Sequence, residues 1–415
     1  MFKFRNYNFK SFSLALVTIV LLLGSVGIFL IQRLQDSDEK QFEKQVIAYI
    51  IGIFIMLFVT LIDYHFIAKF AIPLYLLNLG LMLFTKYTSA SNPLSLGPLK
   101  IYGKKHYTAK RWIEVAFQGK KVEFMPSELT KIIMIVCLAV LLDKLQKQIK
   151  KFWVILVAGI AMGIPVFLVL IQPDLSTSIV MFLFFCIIMY DSGISYKYII
   201  PIILIGIPLV FFLIWYVQQD WQGLLEDWQQ DRVLSLINPA DHTDEMYQQN
   251  NAMLAILAGG FFGKLFTGNT GPRLTAYVPV VESDFIFAAI GEEFGVVGML
   301  IIIGAFILFA FTGIRIARRA KDNLGRFMAV GITSLLTIQA FVNMGVVTSL
   351  LPNTGIPLPF VSSGLSALLS NLFTLGILLN ISIQPAGYSS SDGNDYDFKL
   401  KGRGSRPNDF SKISL

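Results

Sequence analysis

Long apolar runs broken by short polar or basic connections dominate the chain. Ten windows read as helices, at roughly 12–32, 45–63, 66–85, 127–143, 152–171, 175–190, 195–216, 284–312, 326–350 and 360–385. Most approach the ~20 residues that a helix needs to cross the hydrocarbon core of a bilayer. The short alternating segments of a membrane barrel are not seen. The pattern predicts an all-α polytopic membrane protein with about ten transmembrane helices. The first run follows the basic segment Met1 to Lys10, as in a signal peptide. It is longer than a signal h-region and lacks a small-residue cleavage site, so it reads as the first transmembrane helix.

Three interruptions of the pattern stand out. The connections at 86–128 and 217–283 are long, and 252–263 inside the second is apolar but too short to cross. It reads as a re-entrant or interfacial helix ending at Gly259-Gly260, because irregular backbone at depth must be shielded by protein or a water-filled cavity. The segment Leu351 to Gly364 carries three prolines in an apolar passage and reads as a broken helix facing a cavity.

Charge orients the spans. Lys3, Arg5 and Lys10 precede span one, Lys144, Lys147, Lys150 and Lys151 follow span four, and Arg315, Arg318, Arg319, Lys321 and Arg326 follow span eight. All fall on one side, and short basic loops stay cytoplasmic. Both termini are therefore expected in the cytoplasm, and the two long loops outside, carrying interfacial or re-entrant helices. Residues 1–386 form the transmembrane domain, and 387–415, with Ser389 to Ser391 and five cations, form a polar tail expected to be disordered.

With 55% hydrophobic and 15% charged residues, the composition agrees. The net charge of +7 is accounted for mostly by cations flanking spans, so no nucleic-acid partner is expected. Cys137 and Cys186 lie in apolar runs and read as small core residues, and His65, His106 and His242 are far apart. There is no metal-ligand motif.

Candidate chemistry lies near the span ends. The first long loop holds Lys100, Lys104, Lys105, Lys110, Arg111, Lys120 and Lys121. It is either a solvated loop or a docking surface for a phosphorylated, membrane-anchored substrate. Trp112 to Pro126 reads as an interfacial hairpin or short amphipathic element. Span four opens with Ser127 as a cap, and Glu128 and Lys131 share a face at i, i+3, either as ordinary capping or as an ion pair at a cavity mouth. After a turn at Pro173, Asp174 can cap span six. Asp284 stands where a polar loop meets span eight, with Glu292 and Glu293 about two turns further in. Ionisable groups at membrane depth mark function by default, whereas the plain alternative is that Asp284 or Ser283 caps the helix.

Four passages, in order along the chain, resemble the RodA/FtsW (SEDS) family of bacterial cell-wall synthesis. They are Arg111-Trp112 with Pro126 to Lys131, Gln172-Pro173-Asp174, Ser283 to Phe287 with Gly291-Glu292-Glu293, and Leu351 to Gly364. Arg232 to Pro239, Gly263-Lys264 and Thr354 to Phe360 look more like the RodA (elongation) branch than the FtsW (division) branch. The resemblance implies a multi-pass glycosyltransferase of the bacterial cytoplasmic membrane that polymerises lipid II into glycan strands at the outer face, for elongation and cell shape. It implies lipid II and a lipid-linked glycan strand as substrates, with a class B penicillin-binding protein and other elongation proteins as partners. By position, it makes Asp284 the catalytic carboxylate and puts Arg111, Trp112, Glu128, Lys131 and Asp174 around the substrate. Whether a divalent cation assists is left open.

The sequence departs from the family pattern in three places. Val278 to Phe285 lacks the family's His and alters its spacing, Ser176 replaces Gly, and Ser362-Ser363-Gly364-Leu365-Ser366 replaces Ser-Tyr-Gly-Gly-Ser. The competing readings are a lipid II flippase or transporter, a division-branch polymerase and a non-catalytic scaffold. Glu292 lies about 12 Å along the helix from Asp284 at ~1.5 Å per residue, so Glu292 and Glu293 are expected to be structural.

Overall fold

The computed structural model describes residues 7–34, 41–89, 93–96, 99–106, 109–117, 120–172, 174–219, 221–223, 230–231, 234–235, 243–268 and 271–386. Lys3, Arg5, Pro173, Asp220, Glu226, Asp227, Arg232, Asp241, His242 and the polar tail lie outside the described residues.

Each predicted span has its helix. In chain order the helices are α1 (Leu14–Leu34), α2 (Gln41–Thr60), a short α3 (Tyr64–Lys69), α4 (Ala71–Tyr87), α5 (Pro126–Lys144), α6 (Phe152–Ile171), α7 (Leu175–Asp191) and α8 (Tyr196–Val217). They continue with α9 (Thr243–Gly259), α10 (Gly263–Thr267), α11 (Ile286–Arg319), α12 (Asn323–Val347) and α13 (Leu365–Ser382). Among the described residues, α1, α2, α6, α11, α12 and α13 are long and apolar enough to cross a membrane; α4 and α7 are apolar but shorter.

The core lies around α12 and α13, the most enclosed of these helices. Lipid tails are as apolar as leucine, so close packing and polar bonds hold such helices together, not transfer from water. A Cβ on Gly52 of α2 would fall 2.3 Å from Leu372 of α13, and one on Gly376 would fall 2.7 Å from the Met56 carbonyl. The absent side chains let α2 and α13 touch. Asn380 of α13 pins the α2–α3 turn: its Nδ2 donates to the Thr60 carbonyl (2.8 Å), and its Oδ1 accepts from the Tyr64 N–H (3.0 Å). Backbone groups that lose their helical partner at depth need such substitutes.

Four sequence expectations change. The first long loop is not helical but holds an antiparallel sheet, β1 (Leu94–Leu96), β2 (Leu99–His106), β3 (Ala109–Phe117) and β4 (Lys120–Phe124), in that order. The hairpin expected at Trp112 to Pro126 is β3–β4, with Ile113 opposite Phe124 and Val115 opposite Val122. Span eight is two helices merged across a kink at Gly295 (φ 66°, ψ −166°). The α9–α10 turn causes the break: the Gly260 and Phe261 carbonyls accept from Val296 and Val297 (3.1 and 3.2 Å), and a Cβ on Gly295 would meet the Gly263 nitrogen at 2.5 Å. Ser127 does not cap α5. The helix starts from Met125 with Pro126 in its first turn and no side-chain cap, and proline removes one of the N–H groups a cap would serve. Finally, Cys186 is exposed rather than in the core, and Cys137 is half-buried with its thiol on the Ala71 carbonyl (3.2 Å).

Candidate active site

A cavity of about 800 Å³ opens between the sheet, the N-terminal ends of α5, α7 and α11, and the broken segment before α13. Arg111 and Trp112 reach it from β3, Glu128 and Lys131 from α5, Asp174 from the start of α7 and Asp284 from the loop before α11. All six sequence candidates therefore line one space, although they come from four separate stretches of chain.

The Glu128–Lys131 pair is an ion pair and not a cap. Lys131 Nζ donates to Glu128 Oε1 at 2.8 Å with both side chains buried. Asp174 caps α7 as expected, accepting from the Thr177 N–H (3.2 Å). It also accepts from Ser127 Oγ (3.4 Å) and faces Arg111 Nη1 at 3.7 Å. One carboxylate thus joins the sheet, α5 and α7 at the cavity wall.

Asp284 does not cap α11. The residue at the cap position is Phe285, and no side chain there accepts from the helix. Instead Ser283 Oγ donates to Asp284 Oδ1 (2.9 Å), and Asn343 Nδ2 donates to both the Asp284 and Ile356 carbonyls (2.7 Å each). Asn343 ties Asp284 to the broken segment. Gly355 (φ +65°) comes so close that a Cβ there would lie 3.1 Å from Asp284 Oδ2. Ser283 thus holds the carboxylate and Asn343 the backbone of the same residue, which places Asp284 beside the broken segment rather than at the cap position of α11.

Backbone strain gathers around it. Val280 and Phe360 adopt positive φ (55° and 66°), a genuine outlier for a β-branched or bulky residue, costing of the order of 1–3 kcal/mol. The folded arrangement offsets this with specific bonds. The Val280 carbonyl accepts from the Ser283 and Asp284 N–H groups, Ser362 Oγ donates to the Ser283 carbonyl (2.5 Å), and Tyr49 Oη donates to the Phe360 carbonyl (2.5 Å). Gln45, one turn before Tyr49 on α2, donates to the Ser362 carbonyl (3.1 Å). Glu282, the carboxylate nearest Asp284 in sequence, accepts from Gln41 of the same helix (3.3 Å).

Asn343, Gln45 and Tyr49 escaped the sequence reading. Their signal was available: each is a polar group on one face of an apolar span. The altered family position Ser176 also gains a role, since its hydroxyl donates to the Thr354 carbonyl and joins α7 to the broken segment.

Glu292 and Glu293, expected to be structural, both bond to the segment that precedes α11. Lys264 Nζ donates to Glu292 Oε1 (2.6 Å), and the carboxylate also accepts from the Leu274 and Thr275 N–H groups (2.7 and 2.9 Å). Glu293 accepts from Arg273 Nε (2.7 Å). Together they clamp Lys264 and Arg273 to Thr275 onto α11.

The loop cations divide. Glu114 and Glu123 stand directly opposite on β3 and β4, an arrangement that alone is repulsive. Lys104 resolves it by pairing with both, and Lys121 lies 3.4 Å from Glu114. Burial opposes the Glu114 charge, but bonds from Tyr102 and Lys104 outweigh it and hold the carboxyl down at about 2. These lysines support the sheet, whereas Arg111 faces the cavity. Among the described residues, no group of three or more His, Cys, Asp or Glu side chains is placed to hold a metal ion.

The family model for the FtsW/RodA/SpoVE cell cycle proteins matches residues 7–386. The probable peptidoglycan glycosyltransferase FtsW of Geobacter sulfurreducens is 34% identical over 347 residues, covering 83% of this chain and 86% of that protein. The peptidoglycan glycosyltransferase MrdB of Escherichia coli is 35% identical over 276 residues, covering 66% and 70%. Among solved structures, a peptidoglycan synthase complex that coordinates polymerization and crosslinking aligns with a TM-score of 0.69 at 21% identity over 89% of this chain and 97% of the matched one. The rod shape determining protein RodA of Thermus thermophilus aligns with a TM-score of 0.60 at 21% identity, covering 91% and 96%.

Proposed function

The chain belongs to the FtsW/RodA/SpoVE family, the membrane peptidoglycan glycosyltransferases, and we propose that it polymerises lipid II with Asp284 as the general base. The 4-hydroxyl of an incoming N-acetylglucosamine attacks the anomeric carbon of the growing strand. Its proton passes to the Asp284 carboxylate, the bond to the lipid pyrophosphate breaks, and inversion gives a β-1,4 link. A positioned base accelerates such a step by about 10²–10⁴-fold. The pyrophosphate leaves with its electron pair and needs cations, and Arg111 and Lys131 stand in the same cavity.

The observation that supports this reading is the shared cavity itself. It unites a carboxylate just outside the cap position of α11 with two carboxylate-paired cations, beneath a sheet on the same side of the bundle. The side is the outer one if all ten helices span the membrane with both termini in the cytoplasm, as the basic loops imply. A class B penicillin-binding protein is the proposed crosslinking partner.

The chemistry is common to the elongation and division branches. Arg232 to Pro239, partly outside the described residues, and Thr354 to Phe360 favour the elongation branch, while relatives named for division match over more of the chain. Depletion distinguishes them: rounding of cells supports elongation, and filaments support division. For the chemistry, purified protein is given lipid II and the partner. Glycan polymer made by wild type and lost in Asp284→Ala is expected; normal polymer from the variant removes Asp284 from the role of base, and transport without polymer supports a flippase.

A further inference from the structure

A second cavity, about 460 Å³, opens where the segment before α1 meets the C-terminal ends of α11 and α13, the helices whose N-terminal ends border the first. Its charge has one sign. Lys10, Arg315 and Arg319 line it and no acidic side chain does. Among the described residues, none of the three cations forms an ion pair with a carboxylate. Ser11 and Ser13 add hydroxyls beside Lys10.

The walls continue into an apolar stripe. Leu308, Phe311, Arg315 and Arg319 succeed one another on α11 at three- and four-residue spacing, so they share one face. Leu308 and Phe311 are 52% and 66% exposed, and Leu14 across the cavity is 69% exposed. Over these 11 residue steps, about 16 Å at ~1.5 Å per residue, the face passes from bare hydrocarbon to paired guanidinium groups. The cavity floor is fixed, because the Ala386 N–H bonds to the Arg319 carbonyl (2.9 Å) and Ala320 bridges to Pro385.

Cations at the end of a membrane helix commonly do no more than orient it. Arg318 and Lys321, in the same cluster, do not line the cavity and fit that description. Arg315 and Arg319 differ from them in converging with Lys10 on a concave site continuous with an apolar track. Guanidinium groups bind phosphate oxygens with charge-assisted bonds. A soluble phosphate would leave the track uncovered; a phospholipid covers both.

We propose that this cavity binds the phosphate of an anionic phospholipid, with an acyl chain along Leu308 and Phe311. The inference rests on the membrane location and not on the assignment of the catalytic residues.

The test uses the full-length protein in neutral detergent, with bound lipid counted by native mass spectrometry. Dioleoylphosphatidylglycerol is titrated against dioleoylphosphatidylcholine, and preferential retention of the anionic lipid is expected. The Arg315→Gln/Arg319→Gln variant is expected to bind phosphatidylglycerol about thirtyfold more weakly. The Arg318→Gln/Lys321→Gln control removes the same charge and should change binding by less than about twofold, since neither side chain faces the cavity. Equal losses in the two variants, or no preference for the anionic lipid, overturn the proposal in favour of diffuse attraction. Glycerol phosphate is the second arm: if it competes as well as the lipid, the ligand is a soluble phosphate and the lipid assignment falls. Glycan polymerisation enters no readout, so failure here and failure of Asp284 as base are distinguishable.

Discussion

Replacing Lys131 with methionine isolates what the buried ion pair does. Lys131 Nζ and Glu128 Oε1 are 2.8 Å apart, with side chains only 3% and 6% exposed. At an effective dielectric near 20, two unit charges at that distance attract by about 6 kcal/mol before desolvation is subtracted. Desolvation consumes much of this, but in Lys131→Met it falls on Glu128 with no partner left, and breaking a buried pair in this way costs about 3–5 kcal/mol. A large drop in the midpoint of thermal unfolding is expected. In Glu128→Met/Lys131→Met both charges leave together, and apolar replacements of similar size are often neutral. Stability should return to near wild type, which tryptophan fluorescence of the purified protein can follow. Polymer formation from lipid II should not return, because the cavity has lost a cation for the departing pyrophosphate, a loss worth roughly 10²–10³-fold. A stable double variant that polymerises lipid II like wild type would falsify the functional reading and leave the pair a purely structural device. A Lys131→Met protein that melts like wild type would sink the energetic argument.

Asp284→Asn is expected to lower polymerisation by about 10²–10⁴-fold with an unchanged melting midpoint, because Phe285 and not Asp284 holds the cap position of α11; loss of folding along with activity would restore the cap. Gly355→Ala places a methyl group at φ +65° and 3.1 Å from Asp284 Oδ2, so polymerisation should fall while membrane insertion, read by protein level, is retained. Lys264→Met strands Glu292, which is fully buried, and should destabilise the protein by about 3–5 kcal/mol, seen as faster proteolysis within 263–275. His65 reports on pH. Burial of the ring opposes its charge, but bonds to Asp322 and Asp63 (2.7 Å each) prevail and raise it to about 9. The stabilisation from this raised value is fully present below the ordinary histidine range near 6.5 and fades as pH climbs through about 9. Wild type should therefore lose stability across that window, and His65→Gln should lose less; identical slopes would refute the bridge.

The local pattern of apolar residues determined most of the helical frame. A membrane-crossing helix must be long, apolar and self-satisfied in hydrogen bonds, and these demands are written residue by residue. For the same reason the candidate residues were legible: a charge such as Asp284 or Lys131 beside an apolar run is costly enough to stand out. Hydropathy could not say which way a side chain faces, since lipid and protein core are equally apolar, and Cys186 accordingly proved exposed. Nor could it choose among partners. Ser127 and Asp284 both sit where caps are expected, but Ser127 bonds to Asp174 and Asp284 is held by Ser283 and Asn343. The lysines of the first loop looked like one basic surface until strand pairing set Glu114 against Glu123 and drew Lys104 between them. The kink at Gly295 follows from contact with Gly263, not from its own neighbours. Gln45 and Ser362, which brace the site, are 317 positions apart. The sequence by itself thus supplied the helices and the chemically capable residues. Only the tertiary structure decided which of those residues serve the scaffold and which face the cavity, because that choice depends on the competition among donors and acceptors that the fold brings together.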